Sequence, residues 1–288
     1  MFGGHMDQYL VLYNPFSGKG TGFENAKKIE THFPDASFSY EDITRIKDPG
    51  AFIKALQKDV KPVLIGGDGT LSRTMNQLYG TDLGRDLLYY GGGSGNDFLR
   101  DIGRRPKDPP FAINEYMKHL PLVKVNGVSM RFINGVGLGL DGFCCEEVNR
   151  AHKEGRELSY GTVALQGLFS KYKPVDAVIT IDGERQEYTQ VWMAAVMYGS
   201  YFGGGFWMAP HQHRDDPAHM VTGIVVHDIS RLTGLFQLLK VKAGGGEQLV
   251  KYVSYRTGSH IEAEFSAPCA FQIDGESISG VTRYEVFA

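Results

Sequence analysis

Cysteine is scarce: three residues in a chain of 288. That number is odd and too small for a disulfide framework, so Cys144, Cys145 and Cys269 read as buried, reduced thiols. Positive charge is not in excess either, since 30 Lys and Arg stand against 33 Asp and Glu for a net of −3. Nothing in that balance points to a phosphate backbone, and nucleic acid is not an expected partner. No run approaches the roughly 18 apolar residues of a membrane-crossing helix. The longest compact run, Val191–Tyr198, suits a buried strand. The N-terminus shows neither a basic start nor an apolar segment, so no secretory leader and a cytoplasmic location are expected. Internal repeats, low-complexity tracts and Pro-, Ser- or charge-rich linkers are also missing. Met1–His5 carries no pattern that bears on the fold.

Hydrophobic residues make up 42% and charged residues 22%, which excludes wholesale disorder, and the length suits about two domains. Glycine is the outlier. The 37 glycines are about 13% of the chain, against an average near 7%, and they are clustered. Clustered glycine marks sharp turns or a close approach to the backbone.

The first hundred residues alternate. Tyr9–Tyr13 reads as a strand, followed by a glycine loop and a helix near Phe23–Phe33. Ser37–Asp42 reads as a strand and Pro49–Lys58 as a helix. Pro62–Ile65 is a buried strand that runs into Gly66-Gly67-Asp68-Gly69-Thr70 and a helix over Leu71–Tyr79. Leu87–Tyr90 is a strand that runs into Gly91-Gly92-Gly93-Ser94-Gly95 and a helix over Asn96–Ile102. Strand, glycine loop, helix is the grammar of an open α/β sheet, in which ligands bind at the carboxyl ends of the strands. The grammar changes near Leu120–Asn126. Asn126-Gly127, Asp182-Gly183 and Asp274-Gly275 are hairpin signals. The expectation is an α/β domain over 6–122 and a β-rich domain over 123–288, whose last residues return to the first domain. Two helices are expected in the second half, Tyr160–Tyr172 and Ile229–Ala243, the latter with Ile229, Leu232, Leu235, Phe236 and Leu239 on one face.

Three glycine loops that each leave a strand and enter a helix suit phosphate oxygens, because amides at a helix N-terminus carry partial positive charge. Lys19 can add a full charge to the first loop. The spacing fits neither a Walker A loop nor the dinucleotide fingerprint. Asp68 lies among the amides of the second loop. Phosphate repels a carboxylate there unless Mg²⁺ or a substrate hydroxyl lies between them. Asp97 is either a second metal ligand or an acid placed at a helix N-terminus. His211, His213 and His219 near Asp215 and Asp216 suit a transition metal on spacing alone, although a solvated loop explains them as well.

Asn14-Pro15-Phe16-Ser17-Gly18-Lys19-Gly20, Gly66–Thr70 and Gly93-Ser94-Gly95-Asn96-Asp97-Phe98 resemble, in order, motifs of the diacylglycerol kinase catalytic family, which includes bacterial lipid kinases and sphingosine and ceramide kinases. Phe202-Gly203-Gly204-Gly205-Phe206, Ala209-Pro210 and Asp215-Asp216 resemble its middle motif, and Gln272-Ile273-Asp274-Gly275-Glu276 its closing motif. The resemblance implies a Rossmann-like open α/β nucleotide domain of the NAD kinase and diacylglycerol kinase type, a C-terminal β-sandwich-like domain, and an active site in the cleft between them. It implies ATP and Mg²⁺ as cofactors and a lipid alcohol met at a membrane surface, without a transmembrane segment. Family habit adds a homodimer by analogy. Carried over by residue, the nucleotide contacts are Asn14, Ser17, Gly18, Lys19, Gly20, Thr44, Gly66, Gly67, Gly69, Thr70, Gly93, Ser94, Gly95 and Asn96. Glu276 becomes the base, with Asp68 as its rival. Asp68, Asp97 and Asp216 become metal ligands, and Asp141 a contact to the lipid acceptor.

The chain departs from the family pattern in places. Tyr198-Gly199 stands where an asparagine is usual before the middle glycines, Pro217 follows Asp216 in place of glycine, and Leu122–Val125 lacks an expected aspartate. Two alternatives accompany the lipid kinase reading. One is an NAD-kinase-like phosphotransferase, and the other a nucleotide- or lipid-binding protein with weakened chemistry.

Overall fold

A computed structural model describes residues 6–156, 158–167, 172–234 and 253–288. The chain divides into two compact units, Met1–His119 and Leu120–Ala288.

The first unit contains β1 (Gln8–Tyr13), α1 (Ser17–Gly20), α2 (Gly22–Lys27), β2 (Ser37–Asp42), α3 (Pro49–Lys54), β3 (Val60–Gly66), α4 (Asp68–Leu78), β4 (Leu88–Gly91), α5 (Asp97–Asp101) and β5 (Phe111–Ala112). The sheet order is β2-β1-β3-β4-β5. Its first four strands are parallel and β5 is antiparallel. Strands β1 and β3 are buried on both faces, which is why they read as unbroken apolar runs rather than alternating ones. The edge strand β2 alternates between exposed and half-buried residues. Helix α3 starts on Asp48, whose carboxylate accepts from Ala51 N–H at 2.9 Å, with Pro49 at its first position. It ends at Lys54, earlier than the expected Lys58. Arg85 fixes the segment beyond it, donating to the carbonyls of Leu56, Gln57 and Val60 at 2.7–3.0 Å.

The second unit contains β6 (Leu122–Val125), β7 (Val128–Arg131), β8 (Gly135–Gly139), α6 (Leu140–Lys153), α7 (Tyr160–Gln166), β9 (Val175–Ile181), β10 (Glu184–Met197), β11 (Tyr201–Phe202), β12 (Phe206–Trp207), β13 (Val221–His227), β14 (Val253–Gly258), β15 (His260–Ile273) and β16 (Glu276–Phe287). The main sheet runs β14-β13-β10-β8-β15-β16-β6-β7, and β9 pairs with both β10 and β15. The two long strands change partner along their length. Glu184–Val191 of β10 pairs with β9 and Met193–Met197 with β8, with a register shift between. Strand β15 does the same, pairing with β9 over Ile261–Phe265 and with β8 over Phe271–Ile273. Such bulged, partner-switching strands turn the corners of a β-sandwich. Strand β16 pairs with β15 and β6, inside this unit.

All three Asx-Gly pairs form hairpin turns with positive φ at both residues: Asn126 (46°) and Gly127 (77°), Asp182 (48°) and Gly183 (86°), Asp274 (45°) and Gly275 (94°). Two helix expectations need correction. At Asp141-Gly142, where the sequence reading places no helix, the chain enters the 14-residue helix α6. Its inner face is Asp141, Gly142, Cys144, Cys145, Val148 and Ala151, so thiols and small residues carry the burial signal that leucines usually carry. In the expected Ile229–Ala243 helix, Leu232 is 64% exposed while Ile229 is buried. Residues 235–243 of that stretch, and 168–171 of the expected Tyr160–Tyr172 helix, lie outside the described residues.

Candidate active site

The sheet order sets β1, β3 and β4 side by side, so the loops that follow them are neighbours at one edge of the first unit. Side chains join the first loop to the second. Asn14 Nδ2 donates to Thr70 Oγ1 at 3.0 Å, and Ser17 Oγ lies 3.2 Å from the same oxygen. Asn14 Oδ1 in turn accepts from Phe16 N–H at 2.9 Å, holding the loop's bend. Backbone joins the second loop to the third. Gly92 N–H donates to Gly66 O at 2.8 Å, and a Cβ on Gly67 would stand 3.0 Å from the Cα of Gly93. Only a pair of glycines lets the two chains approach this closely.

Asp68 supplies a further link. Its carboxylate accepts from Asp97 N–H at 3.1 Å and Phe98 N–H at 3.0 Å, the first amides of α5. The repulsion between this carboxylate and phosphate, which the sequence resolves with a metal or a hydroxyl, has a third resolution here: one loop's acid caps the next loop's helix. Asp97, 5% exposed, is paired through Oδ1 with Arg100 Nη1 at 3.1 Å. Asn96 is held in the left-handed region at φ 57°, with Nδ2 donating to Gly93 O at 2.7 Å. Its Oδ1 is buried and has no partner.

Gly69 differs from its neighbours. It sits in the first turn of α4, its φ lies outside the left-handed range, and a Cβ there would meet nothing within 4 Å. Neither packing nor backbone conformation asks for glycine, and within a helix glycine costs about 0.5–1 kcal/mol relative to alanine. An open face over the first amides of a helix is what close approach of a phosphate needs.

Thr44 follows the carboxyl end of β2, where its N–H and Oγ1 both donate to Asp42 Oδ1, at 2.9 and 2.6 Å. Gly18 and Gly20 have φ of 59° and 87° in the first loop; the Lys19 side chain lies outside what is described. Ser94 is exposed, and Gly95 O accepts from Arg100 Nη1 at 2.5 Å.

In the second unit, Glu276 is exposed at the start of β16, straight after the Asp274-Gly275 turn. The sequence singles out Glu276, but the machinery around it is larger. Asp274 accepts from the N–H groups of Ile133 (2.7 Å), Asn134 (2.9 Å) and Gly135 (3.1 Å), which anchors the turn to the start of β8. Gln272 and Asn149 hold Gly275 from either side. A buried amide in a strand, beside a turn that must be anchored, is the sequence signal that was available for Gln272. Asn149 has none, because the residues around it carry no periodic apolar signal for α6.

Asp141 lies in the first turn of α6, 6% exposed, with Gln272 Nε2 at 3.4 Å from Oδ2 and no partner for Oδ1. Burial pushes its carboxyl up from 3.8 to about 7, against the opposing pull of the Gly142 amide, Gln272 and its own N–H. Gly137 makes room for it, since a Cβ there would collide with Oδ2. Burial also pushes the thiol of Cys145 up to about 12, and raises Cys144 and Tyr172. Asp216 occupies an exposed turn, where Oδ1 accepts from Ala218 N–H at 2.9 Å. Among the described residues no three His, Cys, Asp or Glu side chains gather to hold a metal ion, neither the carboxylates expected as ligands nor the histidines near residue 211.

The two units match known families separately. Residues 8–124 match the diacylglycerol kinase catalytic domain, and residues 134–286 the YegS C-terminal NAD kinase beta sandwich-like domain. The chain belongs to the diacylglycerol kinase family of lipid kinases. It is 24% identical over 307 residues to the "Putative lipid kinase YtlR" of Bacillus subtilis, covering 98% of this chain and 96% of that one. It is 24% identical over 243 residues to a diacylglycerol kinase of Mycobacterium tuberculosis, covering 78% and 76%. Its fold is similar to the crystal structure of a "putative diacylglycerol kinase from Bacillus anthracis str. Sterne", with a TM-score of 0.63, 22% identity, and coverage of 98% and 92%. Among the described residues no helix is long and apolar enough to cross a membrane.

Proposed function

We propose that the chain is an ATP-dependent lipid kinase that transfers the γ-phosphoryl group to the hydroxyl of a lipid alcohol, diacylglycerol or a close relative. The observation that carries this reading is the joined set of three loops, with an open glycine at Gly69 and an unpaired buried acceptor at Asn96 facing no protein donor. Loop amides at helix N-termini suit the phosphates, and Asn96 Oδ1 suits a donor of the nucleotide. Mg²⁺ usually keeps several waters and binds through one or two carboxylates plus phosphate oxygens, so a site without a third acid side chain fits it. Asp68 and Asp97 are the carboxylates in reach of that role, and the ion would neutralise charge on the phosphates.

The first unit thus binds and orients the donor. The second supplies the base and the acceptor side. The lipid hydroxyl oxygen forms a bond to the γ-phosphorus, the bridging oxygen leaves with ADP, and Glu276 takes the hydroxyl proton. Both oxygens of Asp68 already accept from amides, which favours Glu276 over Asp68 as the base and makes Asp68 an organiser of the third loop. Asp141, a carboxyl kept buried where an apolar side chain would fold more easily, fits a contact to the acceptor hydroxyl.

The test is ATP consumption with Mg²⁺ against mixed micelles of diacylglycerol, monoacylglycerol, ceramide, sphingosine, phosphatidylglycerol and undecaprenol. Turnover on one of them that falls about 10²-fold or more in Glu276→Gln supports the reading. Tight ATP binding with no turnover on any lipid would replace it with a binding protein. Phosphorylation of a soluble acceptor such as NAD would replace it with the NAD-kinase-like alternative.

A further inference from the structure

The turn that presents Glu276 is fastened more heavily than a two-residue hairpin requires. Asp274 and Gly275 already have the positive φ values that close such a turn. Beyond that, both peptide groups of Gly275 are pinned by side chains from different elements. Gln272 Oε1, on β15, accepts from Gly275 N–H at 2.9 Å. Asn149 Nδ2, on α6, donates to Gly275 O at 3.1 Å and to Ser277 Oγ at 3.3 Å. The second of these peptide groups is the one that leads into Glu276, so its plane sets the direction in which the Glu276 Cα–Cβ bond leaves the backbone.

The orientation of Gln272 is itself fixed. Its Nε2 faces two acceptors, Gly135 O at 3.5 Å and Asp141 Oδ2 at 3.4 Å, while its Oε1 faces the Gly275 donor. A flipped amide would set donor against donor and acceptor against two acceptors. Gln272 is 3% exposed, so water does not substitute for either contact. A buried polar side chain satisfied in one orientation only is a rigid link. Here it joins a buried carboxyl on α6 to the turn.

We propose that Asn149 and Gln272 are positioning residues for Glu276, holding the peptide groups on either side of Gly275 so that the carboxylate is aimed before substrate arrives. The inference rests on Glu276 being the base. Neither residue touches the reacting atoms; each acts through the backbone of the turn. Small errors in aim are costly, since a displacement of about 1 Å lowers rate on the order of 10²-fold.

Asn149→Asp is the sharpest variant, because it keeps the shape and removes both N–H donors. Gln272→Glu keeps an acceptor for Gly275 N–H but loses the donor to Asp141. In the wild-type background, Asn149→Asp is expected to lower kcat about 10- to 100-fold with KM for ATP within twofold, because the nucleotide loops lie in the other unit. In a Glu276→Gln background the same change is expected to cost nothing further, because the group being aimed is gone. Gln272→Glu should behave alike. Amide exchange at Gly275, followed by NMR, should quicken in Gln272→Leu, which removes the acceptor of that N–H, and reports on the fastening without reference to turnover. Equal losses in both backgrounds, or no loss of kcat in Asn149→Asp, overturn the positioning role while leaving the base in place. Near-normal turnover in Glu276→Gln overturns the base, and the positioning role with it. The same holds if no lipid is turned over at all.

Discussion

The buried carboxyl of Asp141 makes a quantitative prediction about stability. Its value rises from 3.8 to about 7 on folding, with burial as the main cause. The native state therefore binds a proton that the unfolded chain releases over that interval. Stability changes with pH as the difference in bound protons, unfolded minus folded, and here that difference is negative. The contribution is fully present below about pH 4 and is lost as pH rises through 7. Each pH unit is worth about 1.4 kcal/mol for one proton, so the span amounts to roughly 4 kcal/mol, and the group is too buried for solvent to screen much of it away. Asp141→Asn removes the titration while keeping size and polarity. In urea unfolding at pH 5 and pH 8, the wild type should lose stability relative to the variant by a few kcal/mol between the two. Asp182 and Asp228, whose values are lowered by hydrogen bonds, act at the acid end and leave this interval clear. A wild-type-minus-variant difference that is the same at both pH values would refute the burial argument.

Three further outcomes follow from packing. Gly69→Ala should raise stability by about 0.5–1 kcal/mol, since the site is helical and open, yet weaken ATP binding measured by calorimetry. Asp68→Asn should cost about 1–2 kcal/mol, because a carboxamide oxygen can hold only one of the two α5 amides with full strength; thermal melts check this. The three thiols are buried and the value of each is raised by burial, so an aromatic disulfide reagent at pH 8 should titrate none in the native protein and three in denaturant.

The parallel sheet and its three loops were legible because two independent signals coincide there. Apolar runs such as Val63–Ile65 end at glycines, and both features are local. The hairpins were legible for the same reason, since Asn-Gly and Asp-Gly report a backbone conformation directly. Helix α6 was hidden because its inner face is built of Cys144, Cys145, Gly142 and a buried aspartate, residues that carry no periodic hydrophobic signal. The link from Asp68 to α5 was hidden for another reason. It spans 29–30 residues, and no local pattern says which amides a carboxylate will meet after folding. The contacts of Asn149 and Asp274 around Glu276 are non-local in the same way, reaching across 126 and about 140 residues, whereas Gln272 meets Gly275 only three residues on.

Strand β6 leaves the first unit directly, yet its sheet neighbours are β7 and β16. During synthesis the β6–β7 hairpin is made early and its long-range partner last, roughly 150 residues later. At about 5–20 residues per second that is a wait of roughly 8–30 s. The first unit, whose strands pair within one stretch of about 100 residues, can be complete by then. Until β16 arrives, the β6 side of the hairpin is an open edge. The nascent chain is thus most open to misassociation in the interval before β16 is delivered, and slowing translation between the codons of β7 and β16 should lengthen that exposure.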